Sequence, residues 1–176
     1  MELSLSPSPQ LDLQGCQVTD DSVVIAVAQL ASVGNTMIQL YRLGSMPVPK
    51  VLQYLDAAAA QGIYVHLDVC ELVSKIVGHN PGQPGANSTA VWGQLKTIVL
   101  AARRHPALLA WYIADDTVNW PHEPLKQVYH SIKLWDPYHP ASIAMAWAGT
   151  NFNTNTKTFW NFRLKMQKEW RITPEE

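Results

Sequence analysis

Charge and cysteine are the two things this sequence is short of. Asp, Glu, Lys and Arg make up 15% of its 176 residues, against 47% hydrophobic residues. That balance excludes a disordered chain and suits one domain able to bury a hydrophobic core. Neither sign dominates, since 13 Lys and Arg face 14 Asp and Glu for a formal net charge of −1. The chain generates no long-range field for nucleic acid or an anionic membrane, and neither is expected as a partner. No run approaches the ~20 apolar residues of a membrane span.

Residues Met1 to Gln10 carry Ser and Pro without a basic stretch leading into an apolar one, so they do not read as a secretory signal. Location stays open. Cys16 and Cys70 are too few for a disulfide framework, and Cys70, at the end of an apolar run, reads as a buried thiol. The triplet Asn87-Ser88-Thr89 is a glycosylation acceptor, common by chance. Phosphate-binding glycine loops, a Gly-x-Ser-x-Gly elbow and a useful Cys–His spacing are all missing. The pattern calls for no cofactor and no metal.

What is there is a repeat of helix, short β-rich run and loop. Asp20 and Asp21 can cap a helix through Ser22 to Val33, with Val24, Val27, Ala28 and Ala31 on one face and Gly34-Asn35 as its stop. A strand is predicted over Thr36 to Leu43. Pro47 and Pro49 open a helix to about Gln61, with Val51, Leu52, Leu55 and Ala59 facing inward and Gly62 ending it. Ile63 to Val69 is the second strand, and Gly78 to Ser88, with three glycines and two prolines, reads as a long exposed loop. A helix over Thr89 to Arg104 ends at His105-Pro106, and Ala107 to Ala114 is the third strand. Pro124 to Trp135 is a helix, Asp136-Pro-Tyr-His-Pro140 a turn, and Ala141 to Trp147 the fourth strand.

Strands alternating with helices imply an α/β fold with a parallel sheet. Near-continuous apolar strands suit a sheet covered on both faces. A barrel and a doubly wound sheet both fit, although no Gly-x-Gly-x-x-Gly turn follows any strand.

In either architecture, sites form at the carboxyl ends of the strands. That rule selects Tyr41 and Arg42, then Asp68, then Asp115 and Asp116, then Trp147. By alternation, Tyr112, Ala114 and Asp116 share one face, and Trp111, Ile113 and Asp115 the other. Paired carboxylates at the end of an apolar strand suit general acid chemistry, because burial favours the protonated form of one of them. An Asp that ends a strand also commonly caps the following loop.

Three stretches carry a resemblance: Gln29-Leu-Ala-Ser-Val-Gly-Asn-Thr36, Ala57-Ala-Ala-Ala-Gln-Gly-Ile-Tyr-Val65, and Arg104-His-Pro-Ala-Leu-Leu-Ala-Trp-Tyr-Ile-Ala-Asp-Asp-Thr117. Together they resemble the glycoside hydrolases of (β/α)8 TIM-barrel type. The turn Asp136 to Pro140 is similar to the one before that family's fifth strand. The likeness covers roughly Ser22 to Trp147 and is most specific from His105-Pro106 to Asp115-Asp116. It implies a partial barrel over residues 21–147 whose four units are the family's strands two to five. Residues 1–20 are then an N-terminal extension, and 148–176 a polar linker with a short C-terminal helix.

In that clan the fourth strand ends in Asn-Glu or Asp-Glu, often followed by Pro, and the Glu is the acid/base. The resemblance therefore implies Asp116 as the acid/base. Asp115, Asp68, Arg42, Tyr41 and Trp147 would line a carbohydrate cleft. Two departures bear on reach. Asp is one methylene shorter than Glu, and Thr117 stands where Pro is usual, while a retaining pair needs its carboxyls about 5 Å apart. The family's nucleophile ends the seventh strand, beyond the stretch the resemblance covers. A closed barrel takes about 250 residues. Hydrolysis of glycosidic bonds is thus expected of a longer parent, and this chain is expected to be incomplete. The alternative is a non-catalytic truncated barrel or isoform that binds carbohydrate or a protein partner. The exposed edge of the last strand is expected to favour self-association.

Other constellations are weaker. His66 and Asp68 face the same way on a strand and resemble half of a metal site, but no third ligand stands out. A His–Asp hydrogen bond is the commoner outcome. Of seven tryptophans, Trp147 and Trp120 are placed to stack on sugar rings, whereas Trp92 and Trp135 belong to helical faces and the core. Arg42 suits a sugar hydroxyl or a salt bridge with Asp68 equally well.

Overall fold

The computed structural model describes residues 20–78, 85, 88–115 and 120–144. Along them run α1 (Asp20–Ser32), β1 (Met37–Leu40), a 3-10 turn (Leu43–Ser45), α2 (Val48–Ala60), β2 (Tyr64–Asp68) and α3 (Cys70–Val77). Then come α4 (Thr89–Ala102), β3 (Leu108–Ala114), α5 (His122–Trp135) and β4 (Ala141–Ile143). The ends of the helices follow from local chemistry. Gly34 takes φ 86°, a conformation open to glycine at no steric cost. There its N–H donates to the Ala31 carbonyl at 2.9 Å and that of Asn35 to Leu30 at 3.1 Å. The Ser88 hydroxyl caps α4 by accepting the Val91 N–H at 3.3 Å.

All four strands are parallel, and their order in the sheet is β1-β2-β3-β4. Among the described residues each strand pairs with the next in the chain, and the order does not reverse. Right-handed crossovers in one constant direction put every connecting helix on the same face. The helices accordingly touch in sequence, α1 on α2, α2 on α4, and α4 on α5. This winding is consistent with part of an α/β barrel.

The face under the helices holds the core. Ile38, Val65, Leu67, Trp111 and Ile113 point into it, against Leu55, Leu95, Ile98, Leu125 and Ile132. Burying each such side chain contributes ~1.5–3 kcal/mol. Residues alternate with the pleat, so Met37 and Tyr64, neighbours in register, stand on the other face, 46% and 51% exposed. A bulge interrupts β3, since Val65 pairs with Leu108 but His66 with Ala110, and the extra residue Leu109 is 41% exposed.

One corner ties the sheet to the last helix. Asp136, fully buried, accepts hydrogen bonds from the Trp111 indole at 2.8 Å and the His139 ring at 2.8 Å. It also accepts from the backbone N–H groups of Tyr138 and His139, at 3.1 and 3.3 Å. Burial works against its charge, but the bonds from Trp111 and His139 outweigh it and hold the carboxyl below its ordinary range. The turn expected at Asp136–Pro140 thus exists because a carboxylate folds the backbone around itself.

Several expectations need correction. The first strand ends at Leu40, because Arg42 adopts a left-handed φ of 62° and the chain turns into the 3-10 segment. The segment Cys70–Val77, read as no element, is helix α3. Its Leu72, Val73, Ile76 and Val77 are buried, and Lys75 donates to Glu71 one turn earlier. On α2 it is Tyr54 and Ala58 that go inward, while Ala59 is exposed. Within the loop read as exposed, Gly78 is buried and Gly85 half-buried. The fourth strand is described from Ala141 to Ile143.

Candidate functional site

The carboxyl ends of β1, β2 and β3 gather a polar cluster on the face away from the helices. It begins with Asp68, the last residue of β2 and 3% exposed. Its Oδ2 accepts the Arg42 N–H at 3.2 Å and its Oδ1 the Cys70 N–H at 2.7 Å. One carboxylate thus fastens the turn after β1 to the start of α3. A left-handed non-glycine residue such as Arg42 costs about 1 kcal/mol, and the bond to Asp68 offsets that. Gly44 completes the join, because a Cβ there would lie 2.6 Å from the Asp68 carbonyl oxygen.

Around this join sit further polar groups. Glu71 is held below its ordinary pKa by Lys75, with help from the Ser45 hydroxyl and the Arg42 charge. Cys70 is a free, half-buried thiol whose Sγ donates to the Tyr112 carbonyl at 3.5 Å. Burial first, then the negative charges of Asp68 and Asp115, push the thiol far up and keep it protonated.

On β3, the Tyr112 hydroxyl donates to Asp115 Oδ1 at 2.7 Å. Burial and Asp115 raise the phenol, while a hydrogen bond with Gln39 of β1 works the other way. Alternation placed Asp115 on the face opposite Tyr112. The backbone bends at Asp115, directly after the strand, and brings its carboxylate back to the Tyr112 side.

His66 stands beside this pair, its ring edge-on to Tyr112 with centroids 5.1 Å apart. Its Nε2 meets the Ser142 hydroxyl of β4 at 2.6 Å, and that hydroxyl donates to the Trp111 carbonyl at 3.3 Å. The serine oxygen is therefore left to accept the His66 Nε2–H. Burial lowers the His66 pKa, against the Trp111 carbonyl and the Asp68 charge, which raise it. The expected His66–Asp68 hydrogen bond gives way to this one, because Asp68 is already held by two backbone N–H groups.

The structure brings Asp68 and Asp115 together, both close enough to act on Cys70. Arg42 meets Asp68 through its backbone N–H, and Tyr41 is 69% exposed in the turn. Asp116 and Trp147 lie outside the described residues. Gln39, Cys70, Tyr112 and Ser142 were not singled out from the sequence as site residues. Alternation along β1 and β3 could have found Gln39 and Tyr112, but Ser142 meets His66 only through the sheet order. Among the described residues no group of three His, Cys, Asp or Glu is placed to hold a metal ion. Hydroxyls, an amide, a neutral imidazole and two carboxylates make a set suited to a ligand rich in hydroxyl groups.

No family profile matches the chain, and no curated protein does. Among solved structures the chain is similar to the exo-β-D-glucosaminidase CsxA, described with a glucosamine-configured castanospermine and an amino-australine analogue. The identity is 16% and the TM-score 0.50. A second structure, Amycolatopsis orientalis exo-chitosanase CsxA, gives 15% identity and a TM-score of 0.50. The fold is glycoside-hydrolase-like. In both comparisons 74% of this chain is covered but only 15% of the other, so the chain spans a small part of the length of these glycoside hydrolases.

Proposed function

We propose that the chain is a carbohydrate-active segment of a (β/α)8 barrel, with its sugar-binding cleft at the strand ends, on the face away from the helices. The observation that carries this reading is the cluster of Gln39, His66, Asp68, Tyr112, Asp115 and Ser142. Four strands contribute to it, and it stands at the end of a singly wound sheet where such barrels keep their sites. Asp115 would accept from sugar hydroxyls with the oxygen that Tyr112 leaves open. Asp116, the next residue, takes the acid/base position, and Trp147 stacks on a sugar ring. Hydrolysis belongs to a form that also carries the second carboxylate, and the similarity to exo-glucosaminidases makes β-linked amino sugars the first class to try.

The test is isothermal titration of the folded chain with a panel of oligosaccharides, glucosamine oligomers included. Saturable heat that disappears in Trp147→Ala and weakens in Tyr112→Phe is the expected result. A folded chain that gives no heat with any sugar overturns the reading. Hydrolysis abolished by Asp116→Asn, in a longer form that binds normally, would separate the catalytic reading from the binding one.

A further inference from the structure

We infer that the cluster at the strand ends selects its ligand by charge, taking hydroxyl-rich ligands without negative charge and rejecting acidic ones such as uronic acid oligomers, with Asp115 as the discriminating residue. This inference rests on the carbohydrate part of the proposed function and adds a specificity to it.

Most donors of the cluster are spent within the protein. The backbone N–H groups of Arg42 and Cys70 go to Asp68, and the Cys70 thiol goes to the Tyr112 carbonyl. The Tyr112 hydroxyl goes to Asp115, the His66 Nε2–H to Ser142, and the Ser142 hydroxyl to the Trp111 carbonyl. Asp68 and Tyr112 are also buried, so neither is placed to be a ligand's first contact. Asp115 is half-buried and meets one hydroxyl among the described residues. A carboxylate has about four lone-pair sites, so Asp115 keeps room for donors from a ligand. Gln39, half-buried on β1, holds the Tyr112 hydroxyl and keeps part of its amide free to pair either way. What the cluster chiefly lacks is therefore a donor, which hydroxyl groups supply and an ionised acid does not.

Charge points the same way. Asp68, Glu71 and Asp115 supply three carboxylates against two cations, Arg42 and Lys75. Lys75 donates to Glu71 at 2.8 Å, and the Arg42 charge acts on Glu71 as well. Among the described residues no ion pair reaches Asp68 or Asp115. Burial and the charge of Asp115 keep the Cys70 thiol and the Tyr112 phenol protonated. His66, its pKa lowered by burial, adds no positive charge at neutral pH. An acidic sugar set beside Asp115 meets a like charge in a half-buried place with no cation to offset it. Such a juxtaposition weakens binding by about 100-fold.

The test is isothermal titration of the full chain with matched oligomers of glucose, glucosamine and glucuronic acid. Saturable heat is expected with at least one of the first two, and binding of the glucuronic acid oligomer at least ~100-fold weaker. Added salt should narrow that gap, because it screens like charges. Asp115→Asn keeps the size of the side chain and an acceptor for Tyr112, removes the charge and adds a donor. With unchanged far-ultraviolet circular dichroism, it should close the gap by at least ~10-fold. Glucuronic acid oligomers that bind as tightly as the other two overturn the inference and leave the carbohydrate reading standing. A gap that neither salt nor Asp115→Asn alters overturns it in the same way. A folded chain that binds no sugar of any charge overturns both.

Discussion

Trp111 and Tyr112 are consecutive in β3, point to opposite faces, and each hydrogen-bonds a carboxylate with a histidine nearby. Trp111 donates to Asp136 beside His139, in a corner where the carboxylate is fully buried and accepts four hydrogen bonds. Tyr112 donates to Asp115 beside His66, on the face the helices leave uncovered. The same three kinds of side chain make a structural joint in one place and a candidate binding surface in the other. The difference lies in completion. At Asp136 four described donors meet the carboxylate, whereas at Asp115 the described partner is a single hydroxyl, which leaves acceptor capacity.

The sharpest way to break this comparison is Asp136→Ala. It strands the Trp111 indole N–H in a buried site and frees two partly exposed backbone donors, and should lower unfolding free energy by about 3 kcal/mol, read from urea titration. Asp68→Ala comes next, at about 2 kcal/mol, because the N–H groups of Arg42 and Cys70 lose their acceptor. Tyr112→Phe should cost about 1 kcal/mol or less, since Asp115 can turn to water. A loss at Tyr112 as large as that at Asp136 would mean that both sites are structural.

Acid should separate the two sites by pH. The His66 pKa is lowered from 6.5, so the unfolded chain binds that proton first. Its contribution is complete above pH 6.5 and declines as pH falls from there toward the folded value. The Asp136 pKa is lowered from 3.8, so its contribution persists to lower pH and is lost as pH falls through the folded value. Urea midpoints measured across pH should therefore show an upper acid limb absent in His66→Gln and a lower one absent in Asp136→Asn.

Much of the fold was legible because each unit carries its own local signals. Helix faces on α4, the stop at Gly34-Asn35 and the apolar run of β3 are all written within a few residues. What escaped was set by partners far along the chain. The early end of β1 at Arg42 depends on a carboxylate 26 residues later, and the role of Asp136 on an indole 25 residues earlier. Helix α3 was missed although Glu71 and Lys75, one turn apart, signal it. Asp68 and Asp115 stand at the strand ends where the pattern of strands put them. The His66–Ser142 contact spans 76 residues and needs the order β2-β3-β4, which no local pattern contains.

That order also governs how the chain can assemble over time. Because each strand pairs with the one just before it in the chain, a strand leaving the ribosome finds its partner already in place. Synthesis at roughly 5–20 residues per second adds one strand and its helix every few seconds, far slower than the pairing itself. The sheet can therefore grow in step with translation. At every stage a single fresh edge is open, and it is closed by whichever strand arrives first.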